Sequence, residues 1–107
     1  MSQISEVAVV FTNDLFAELL TKIDEQDVEL CKEHSHVNED QTLLYFDSIK
    51  WYPNYQLTIQ TMELVDKFPE KCKFIELYSG VVYQESGTLH DYFNLGYSLS
   101  MVFDTKE

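Results

Sequence analysis

The sequence predicts an α+β fold, with two helices packed on one face of a mainly antiparallel sheet. Two observations indicate it. Several short runs are rich in β-branched and aromatic residues, as strands are, and two longer runs repeat apolar residues at helical spacing. The chain has 107 residues, of which 45% are hydrophobic and 14% aromatic. This composition is typical of a single compact domain spanning residues 1–107, rather than of a disordered acidic tail.

A strand and a helix are predicted at the start of the chain. Ser5 to Phe11 (SEVAVVF) is rich in β-branched residues and too short to stand as a helix, which predicts a first strand. Thr12 or Asn13 then provides a helix N-cap. The apolar residues that follow predict an amphipathic helix ending near Asp24; they are Leu15, Phe16, Leu19, Leu20 and Ile23.

The next segment, Asp24 to Asp40 (DEQDVELCKEHSHVNED), is strongly acidic and admits two structures. Asp27 to Glu33 alternates charged and apolar residues, which predicts a second strand, although a continued helix is an open alternative. His34 to Asp40 is predominantly polar and is typical of a loop.

The strongest strand signal of the chain comes next. It spans Gln41 to Tyr52 (QTLLYFDSIKWY), and Pro53 ends it. Asn54 is placed to cap a second helix, NYQLTIQTMELVDKF, which Pro69 stops. The apolar stripe of this helix consists of Leu57, Ile59, Met62, Leu64, Val65 and Phe68.

Three further extended runs follow the second helix. They span Lys71 to Tyr78, Val81 to Gln84 and Tyr97 to Phe103, with a turn at Ser79-Gly80 and a polar, glycine-containing loop before the last run. The predicted order through Gln84 is βαββαββ, and the run from Tyr97 to Phe103 follows it. A sheet of this order with two helices on one face resembles the ferredoxin-like sandwich.

The charge of the chain restricts its partners. Nineteen acidic residues stand against seven lysines, arginine is absent, and the net charge is −12. Arginine is the usual bidentate ligand of phosphate and of guanine, so a chain of this charge without arginine is repelled by DNA, RNA and anionic membranes. We expect a basic protein as the partner rather than direct binding of nucleic acid or membrane. A homodimer is left open.

Cysteine usage and the N-terminal sequence indicate the compartment. Cys31 and Cys72 are the two cysteines, and a pair of free thiols is typical of a reducing cytosol. The N-terminal sequence lacks a basic region and has too short an apolar run for a signal peptide, and no stretch reaches the length of a membrane span. We therefore expect a cytoplasmic protein of a bacterial host.

Motifs for catalysis and for cofactor binding are weak. Cys31, His34 and His36 form a C-x2-H-x-H pattern beside carboxylates, but structural zinc sites usually have paired Cys/His clusters at characteristic separations. The three glycines form neither a phosphate-binding loop nor a dinucleotide fingerprint, and no G-x-S-x-G motif is present. The sequence predicts neither an enzyme nor a cofactor, and a solvated histidine pair is the favoured interpretation over a metal site.

The acidic segment provides the main functional hypothesis. Its carboxylates, which stand against Lys32 as the one cation, are Asp24, Glu25, Asp27, Glu29, Glu33, Glu39 and Asp40. In a strand, alternate residues lie roughly 6.7 Å apart. In a helix, Glu25, Glu29 and Glu33 form a row at roughly 5–6 Å. Both spacings approach the distance between successive phosphates of one nucleic-acid strand, so the segment predicts charge mimicry of nucleic acid.

Aromatic residues extend the predicted binding surface. The chain has seven Tyr, seven Phe and one Trp, more than we expect a small core to bury. Exposed Tyr and Trp are favoured interface anchors because they are large, rigid and amphipathic. We include Trp51, Tyr52 and Tyr55 in the predicted binding surface.

In size, acidity and lack of catalytic residues, the chain resembles the small phage-encoded inhibitors of host defence, which include anti-restriction and anti-CRISPR proteins. The resemblance rests on composition. It implies an inhibitor that occupies the basic nucleic-acid-binding surface of a nuclease or another DNA-binding protein. The alternative hypothesis is a toxin-neutralising immunity protein or antitoxin, which shares the acidic surface and the aromatic anchors.

Overall fold

The computed structural model of the protein describes residues 4–98 and 100–105. Three α-helices and seven strands follow one another along this part of the chain. They are β1 (Ser5–Thr12), α1 (Asn13–Leu20), α2 (Glu25–Glu33), β2 (Ser35–Asn38), β3 (Gln41–Ile49), α3 (Gln56–Lys67), β4 (Cys72–Tyr78), β5 (Val81–Ser86), β6 (Gly96–Tyr97) and β7 (Met101–Val102), with a turn of 3-10 helix at Pro69–Lys71.

The five longer strands form one sheet in the order β2-β3-β1-β4-β5, and every neighbouring pair is antiparallel. α1 and α2 carry the chain from β1 to the edge strand β2, and α3 carries it from β3 across β1 to β4. β5 then adds a second edge through a tight hairpin, whose turn residues Ser79 and Gly80 both have positive φ, as this kind of two-residue turn requires. β6 and β7 pair separately.

The predicted α+β class and mainly antiparallel sheet are confirmed, whereas the ferredoxin-like order and the number of helices are matched only in part. The first helix, predicted to end near Asp24, ends at Leu20, and an additional helix, α2, follows it. β2 lies inside the segment predicted as a loop. The last predicted strand, Tyr97 to Phe103, is divided between β6 and β7, with Leu99 outside the described residues.

The sequence pattern favours a strand for Asp27 to Glu33, but the structure has the helix α2 at these residues. The side chain of Asp24 accepts a hydrogen bond from the backbone N–H of Asp27 at 3.0 Å, which caps a new helix. The buried positions of α2 are Asp27 and Cys31, one helical turn apart. Because one of these inward positions holds a carboxylate, the helix has no recognisable apolar stripe.

One hydrophobic core lies between the sheet and the three helices. Val7, Val9 and Phe11 of β1 alternate toward this side and are fully buried. The helices complete the core with Leu15 and Leu19 of α1, Cys31 of α2, and Leu57, Leu64 and Val65 of α3. We call this side of the sheet the helix face.

A second core covers the opposite side, which we call the second face. Ala8, Val10, Leu43, Ile75 and Leu77 point to it from the central strands. The covering residues are Phe93, Leu95 and Met101, which come from the largely irregular C-terminal segment, residues 88–105. Both sides of the central strands are therefore buried, which is why these strands are continuous apolar runs.

Polar side chains fasten the C-terminal segment to the sheet. The buried carboxylate of Asp91 accepts hydrogen bonds from the backbone N–H groups of Phe93 at 3.1 Å and Leu95 at 2.9 Å, and from Lys73 Nζ at 3.1 Å. Glu6 accepts a hydrogen bond from the Met101 backbone N–H at 3.0 Å. These bonds supply the order that regular secondary structure supplies on the helix face.

Within residues 4–98 and 100–105, no helix has the length and apolar character needed to cross a membrane.

Candidate functional site

The acidic segment folds into α2, β2 and the turn between β2 and β3. Six of its carboxylates are exposed: Asp24, Glu25, Glu29, Glu33, Glu39 and Asp40. The segment contains a single cation, Lys32. The structure therefore presents most of the predicted charge to solvent, where it can act on a partner.

The glutamates of α2 form the ordered part of this surface. Glu25, Glu29 and Glu33 follow one another at intervals of one helical turn, so they form a row of exposed carboxylates at roughly 5–6 Å between Cβ atoms. Their like charges repel one another, and the row is held in place by the rest of the fold. The row therefore concentrates negative charge along the exposed side of α2.

Glu39 and Asp40 form a separate acidic group. They occupy the β2–β3 turn, where Glu39 has a positive φ of 58° and the Asp40 carbonyl accepts a hydrogen bond from the Asn13 N–H at 2.9 Å. The four residues of β2 lie between this turn and α2, a length of roughly 13 Å. The predicted acids are thus divided into two groups rather than joined in one row.

Asp27 differs from the other predicted acids because it is buried, with an exposed fraction of 7%. Its Oδ1 accepts a hydrogen bond of 2.6 Å from the hydroxyl of Tyr55, the N-cap residue of α3. Burial, and then this bond to Asp27, raise the pKa of the Tyr55 hydroxyl. Asp27 therefore joins α2 to the start of α3 and is not available to a partner.

The three predicted aromatic anchors differ in their exposure to solvent. Trp51 has an exposed fraction of 7%, and its ring packs against Phe46 and Phe74, with centroids 6.5 Å and 6.1 Å away. It belongs to the core. Tyr52 and Tyr55 are half-buried and line an open cavity of about 510 Å³. These two tyrosines are the anchors that the structure leaves accessible.

This cavity, which we call the tyrosine cavity, lies between α2, the end of β3 and the start of α3. Its lining consists of Leu30, His34, Phe46, Ser48, Ile49, Lys50, Tyr52 and Tyr55. The imidazole of His34 lies against the Phe46 ring, with centroids 5.1 Å apart. An open, mostly apolar cavity with a few polar groups at its wall is the usual form of a binding site.

The tyrosine cavity adjoins the acidic row. Leu30 of α2 and His34, the C-cap residue of this helix, form its wall on that side. Glu33 is three residues from Leu30 and is therefore its neighbour on the helix surface, as Glu29 is of Glu33. The structure thus places an apolar cavity and a row of carboxylates side by side along one helix.

Cys31, His34 and His36 do not come together. Cys31 is buried in the helix-face core, where burial and the nearby charge of Asp27 raise the pKa of its thiol to about 12. His34 is on the helix face, whereas His36 pairs with Leu43 of β3 and lies near Phe103 on the second face. Among the described residues, no group of three or more metal-ligating side chains is found. Cys72 is likewise a buried free thiol.

Sequence reasoning identifies the acids and two tyrosines but misses the other walls of the tyrosine cavity. Ser48 and Lys50 are ordinary polar residues at the end of a predicted strand, and the sequence pattern places Leu30 in a strand rather than in a helix. Their positions depend on how α2 packs beside β3, which local sequence does not specify. The alternation of Phe46, Ser48 and Lys50 on one side of the strand is the one available signal.

Comparisons with protein-family models, with curated proteins and with solved structures give no match to this chain.

Proposed function

We propose that the protein is an acidic inhibitor, not an enzyme, which binds the basic nucleic-acid-binding surface of another protein in place of nucleic acid. The observation that carries this proposal is the exposed row of Glu25, Glu29 and Glu33 beside the tyrosine cavity. The row offers charges at a spacing similar to that of phosphates. The cavity offers an apolar contact that nucleic-acid charge alone does not provide.

Electrostatic attraction would bring the two proteins together. A net charge of −12 and the concentration of exposed carboxylates on and around α2 favour a partner rich in Lys and Arg. Complementary charge raises the association rate and selects against acidic partners. We therefore expect fast binding that weakens as salt increases.

The tyrosine cavity would then fix the complex. A few large side chains in desolvated pockets supply most of the binding energy of protein interfaces. Tyr52 and Tyr55 form walls on which an apolar side chain of the partner, or the aliphatic stem of a Lys or Arg, can pack. The charges select the partner, and the cavity slows its dissociation.

The proposed contact surface is smaller than the one predicted from sequence. It comprises Asp24, Glu25, Glu29, Glu33, Tyr52 and Tyr55, with Glu39 and Asp40 as a second acidic group. Asp27 and Trp51 are buried and would support the surface from beneath. A phage- or mobile-element-encoded inhibitor of a host defence nuclease, of the anti-restriction or anti-CRISPR type, is the biological role that we propose for such a surface.

The test compares two double variants with equal net charge. Glu29→Lys with Glu33→Lys reverses the acidic row, and Glu63→Lys with Asp66→Lys reverses two exposed acids of α3. The wild-type protein and both variants are immobilised and exposed to host lysate, and bound proteins are eluted with duplex DNA. We expect a nucleic-acid-binding protein to be retained by the wild type and by the α3 variant, and about tenfold less by the α2 variant.

Other outcomes separate the alternatives. Equal retention by all three proteins, or equal losses in both variants, would contradict a site on α2. A partner that resists elution by salt and by duplex DNA would instead support the immunity protein or antitoxin, whose interface would depend on the aromatic residues rather than on charge.

A further inference from the structure

A second cavity lies on the helix face, between α3 and the strands β4 and β5. Its volume is about 320 Å³, and it shares no lining residue with the tyrosine cavity. Ile59 and Met62 of α3 and Tyr83 of β5 provide apolar walls. Four residues with polar groups also line the cavity: Trp51, Thr58, Glu76 and Gln84. We call it the Glu76 cavity.

Glu76 is unusual because it is a carboxylate on the core side of a central strand, with an exposed fraction of 2%. Its Oε2 accepts a hydrogen bond from Ser5 Oγ at 2.6 Å. In the described part of the chain it has no cationic partner, since the salt bridges found there join Lys71 to Asp14 and Lys73 to Asp91. Removing a carboxylate from water without a counter-charge is costly, so its retention here requires an explanation.

Two other polar groups beside the cavity lack partners within residues 4–98 and 100–105. The indole Nε1 of Trp51 and the Oγ1 of Thr58 are both buried and make no hydrogen bond there. Their residues are more than nine-tenths buried, with exposed fractions of 7% and 6%. Buried donors and acceptors are nearly always paired in native proteins. Because these two atoms have almost no accessible surface, a ligand in the cavity does not reach them, and Glu76, whose Oε1 makes no hydrogen bond in the described residues, is the charged group that lines the cavity.

We propose that the Glu76 cavity binds a small primary amine on a compact apolar body. The ammonium group pairs with the Glu76 carboxylate. The apolar body packs against Ile59, Met62 and Tyr83.

The chemistry of the Glu76 carboxylate selects this class of ligand. A carboxylate accepts but does not donate when it is ionised, and a charge-assisted bond to an ammonium group is stronger than a bond to a neutral hydroxyl. An anion is excluded by Glu76, and a purely apolar ligand would leave the Oε1 of this carboxylate without a partner. This assignment does not depend on the function proposed for α2.

Trp51 is the only tryptophan of the chain, which provides a direct probe. Its single indole N–H signal in a proton–nitrogen correlation spectrum can be followed during titration with three compounds of similar shape. Phenylalaninol has the ammonium group and a hydroxyl, phenylpropanol lacks the ammonium group, and phenylpropionate is an anion. We expect phenylalaninol to shift the indole signal and to bind about tenfold more tightly than phenylpropanol, and phenylpropionate to leave the signal unchanged.

Two matched variants identify the carboxylate that binds the ammonium group. Glu76→Gln keeps the size of the side chain and an acceptor for Ser5 but removes the charge, and should abolish the preference for phenylalaninol over phenylpropanol. Glu85→Gln removes a charge from an exposed residue of the neighbouring strand β5 and should retain the preference. If Glu76→Gln does not fold, Tyr83→Ala serves instead. Tyr83 is 64% exposed, and its loss should weaken phenylalaninol binding without disturbing the core.

Three results would overturn the proposal. An indole signal that none of the compounds shifts would mean that water alone fills the cavity. Equal binding of phenylalaninol and phenylpropanol to the wild type would contradict an ammonium site. A preference that survives Glu76→Gln would place the ammonium group elsewhere.

Discussion

The two faces of the sheet are covered in different ways. Three helices cover the helix face, and their apolar side chains reach the sheet at intervals of one turn. The second face is covered by the C-terminal segment, in whose described residues the regular structure is the pair of two-residue strands β6 and β7. The helix face is ordered by repeating apolar contacts, and the second face by a few polar anchors around three apolar residues.

This difference determines where sites can form. Helices pack on a sheet as rigid cylinders and leave gaps at their ends and edges. The tyrosine cavity lies beside the start of α3, and the Glu76 cavity lies between α3 and the edge of the sheet. Both of these cavities are on the helix face. An irregular segment can follow the surface of the sheet more closely, as Phe93 and Leu95 do.

The largest loss of stability is expected from Phe93→Ala. This variant tests whether the packing of the C-terminal segment on the second face depends on one side chain. Phe93 is fully buried in the second core, and such a truncation costs about 3–5 kcal/mol of the free energy of unfolding. Hydrogen exchange should show lost protection in residues 88–105 while α1 and α3 remain protected. Leu19→Ala, at a fully buried position of the helix face, is the control and should reduce protection throughout the core. The same pattern in both variants would remove the distinction between the faces.

The next effect is expected from Asp91→Ala, which removes the polar anchor and leaves Phe93 intact. The variant loses the acceptor of two backbone N–H groups and the partner of Lys73. Because Lys73 is partly exposed and can regain water, we expect a loss of about 2–3 kcal/mol in the free energy of unfolding, measured by urea denaturation. Asp104→Ala is the control, since its exposed carboxylate contacts only the side chain of Asn94 in the described structure. If Asp91→Ala lost less free energy of unfolding than Asp104→Ala, apolar packing alone would hold the C-terminal segment on the sheet.

The elements that could be predicted from the sequence are those whose inward-facing residues are apolar. β1, β3, β4, α1 and α3 have apolar residues at strand or helix spacing, and their observed ends lie within a few residues of the predicted ones. α2 is mistaken for a strand because Asp27 occupies one of its two buried positions. The periodicity of an inward face is visible only when its residues are apolar.

The candidate site could be predicted less completely than the fold. Exposed acids are visible in any sequence, and the row on α2 needed only the correct helix. The buried state of Asp27 depends on Tyr55, which is far along the chain, and that of Trp51 depends on Phe46 and Phe74. The tyrosine cavity depends on the packing of three separate elements. Contacts between distant residues decide which side chains are accessible, and local pattern does not contain them.

A smaller effect is expected from Tyr55→Phe, which tests the join between α2 and α3. The variant leaves the buried Asp27 carboxylate without its hydroxyl partner, which should cost about 1–2 kcal/mol in the free energy of unfolding. Tyr52→Phe is the matched control, because no hydrogen bond from its hydroxyl is found in the described residues, and it should change stability little. Thermal or urea unfolding measures both. Equal effects in the two variants would mean that the Asp27 bond does not hold α2 in place.

The smallest effect is a change in how stability depends on pH, and it tests the buried carboxylate of the helix face. Burial raises the pKa of Glu76 above its ordinary value, although the bond from Ser5 opposes the shift. The folded state then binds a proton that the unfolded state has lost, so the wild type loses stability as pH rises from the ordinary carboxyl pKa through the raised one. Glu76→Gln cannot titrate, so its stability relative to the wild type should increase from acid to neutral pH. Glu85→Gln, at an exposed position, should show no such trend. Parallel curves of stability against pH for the wild type and Glu76→Gln would show that the carboxylate is solvated as well in the folded chain as in the unfolded one. That result would remove the reason for placing an ammonium ligand beside it.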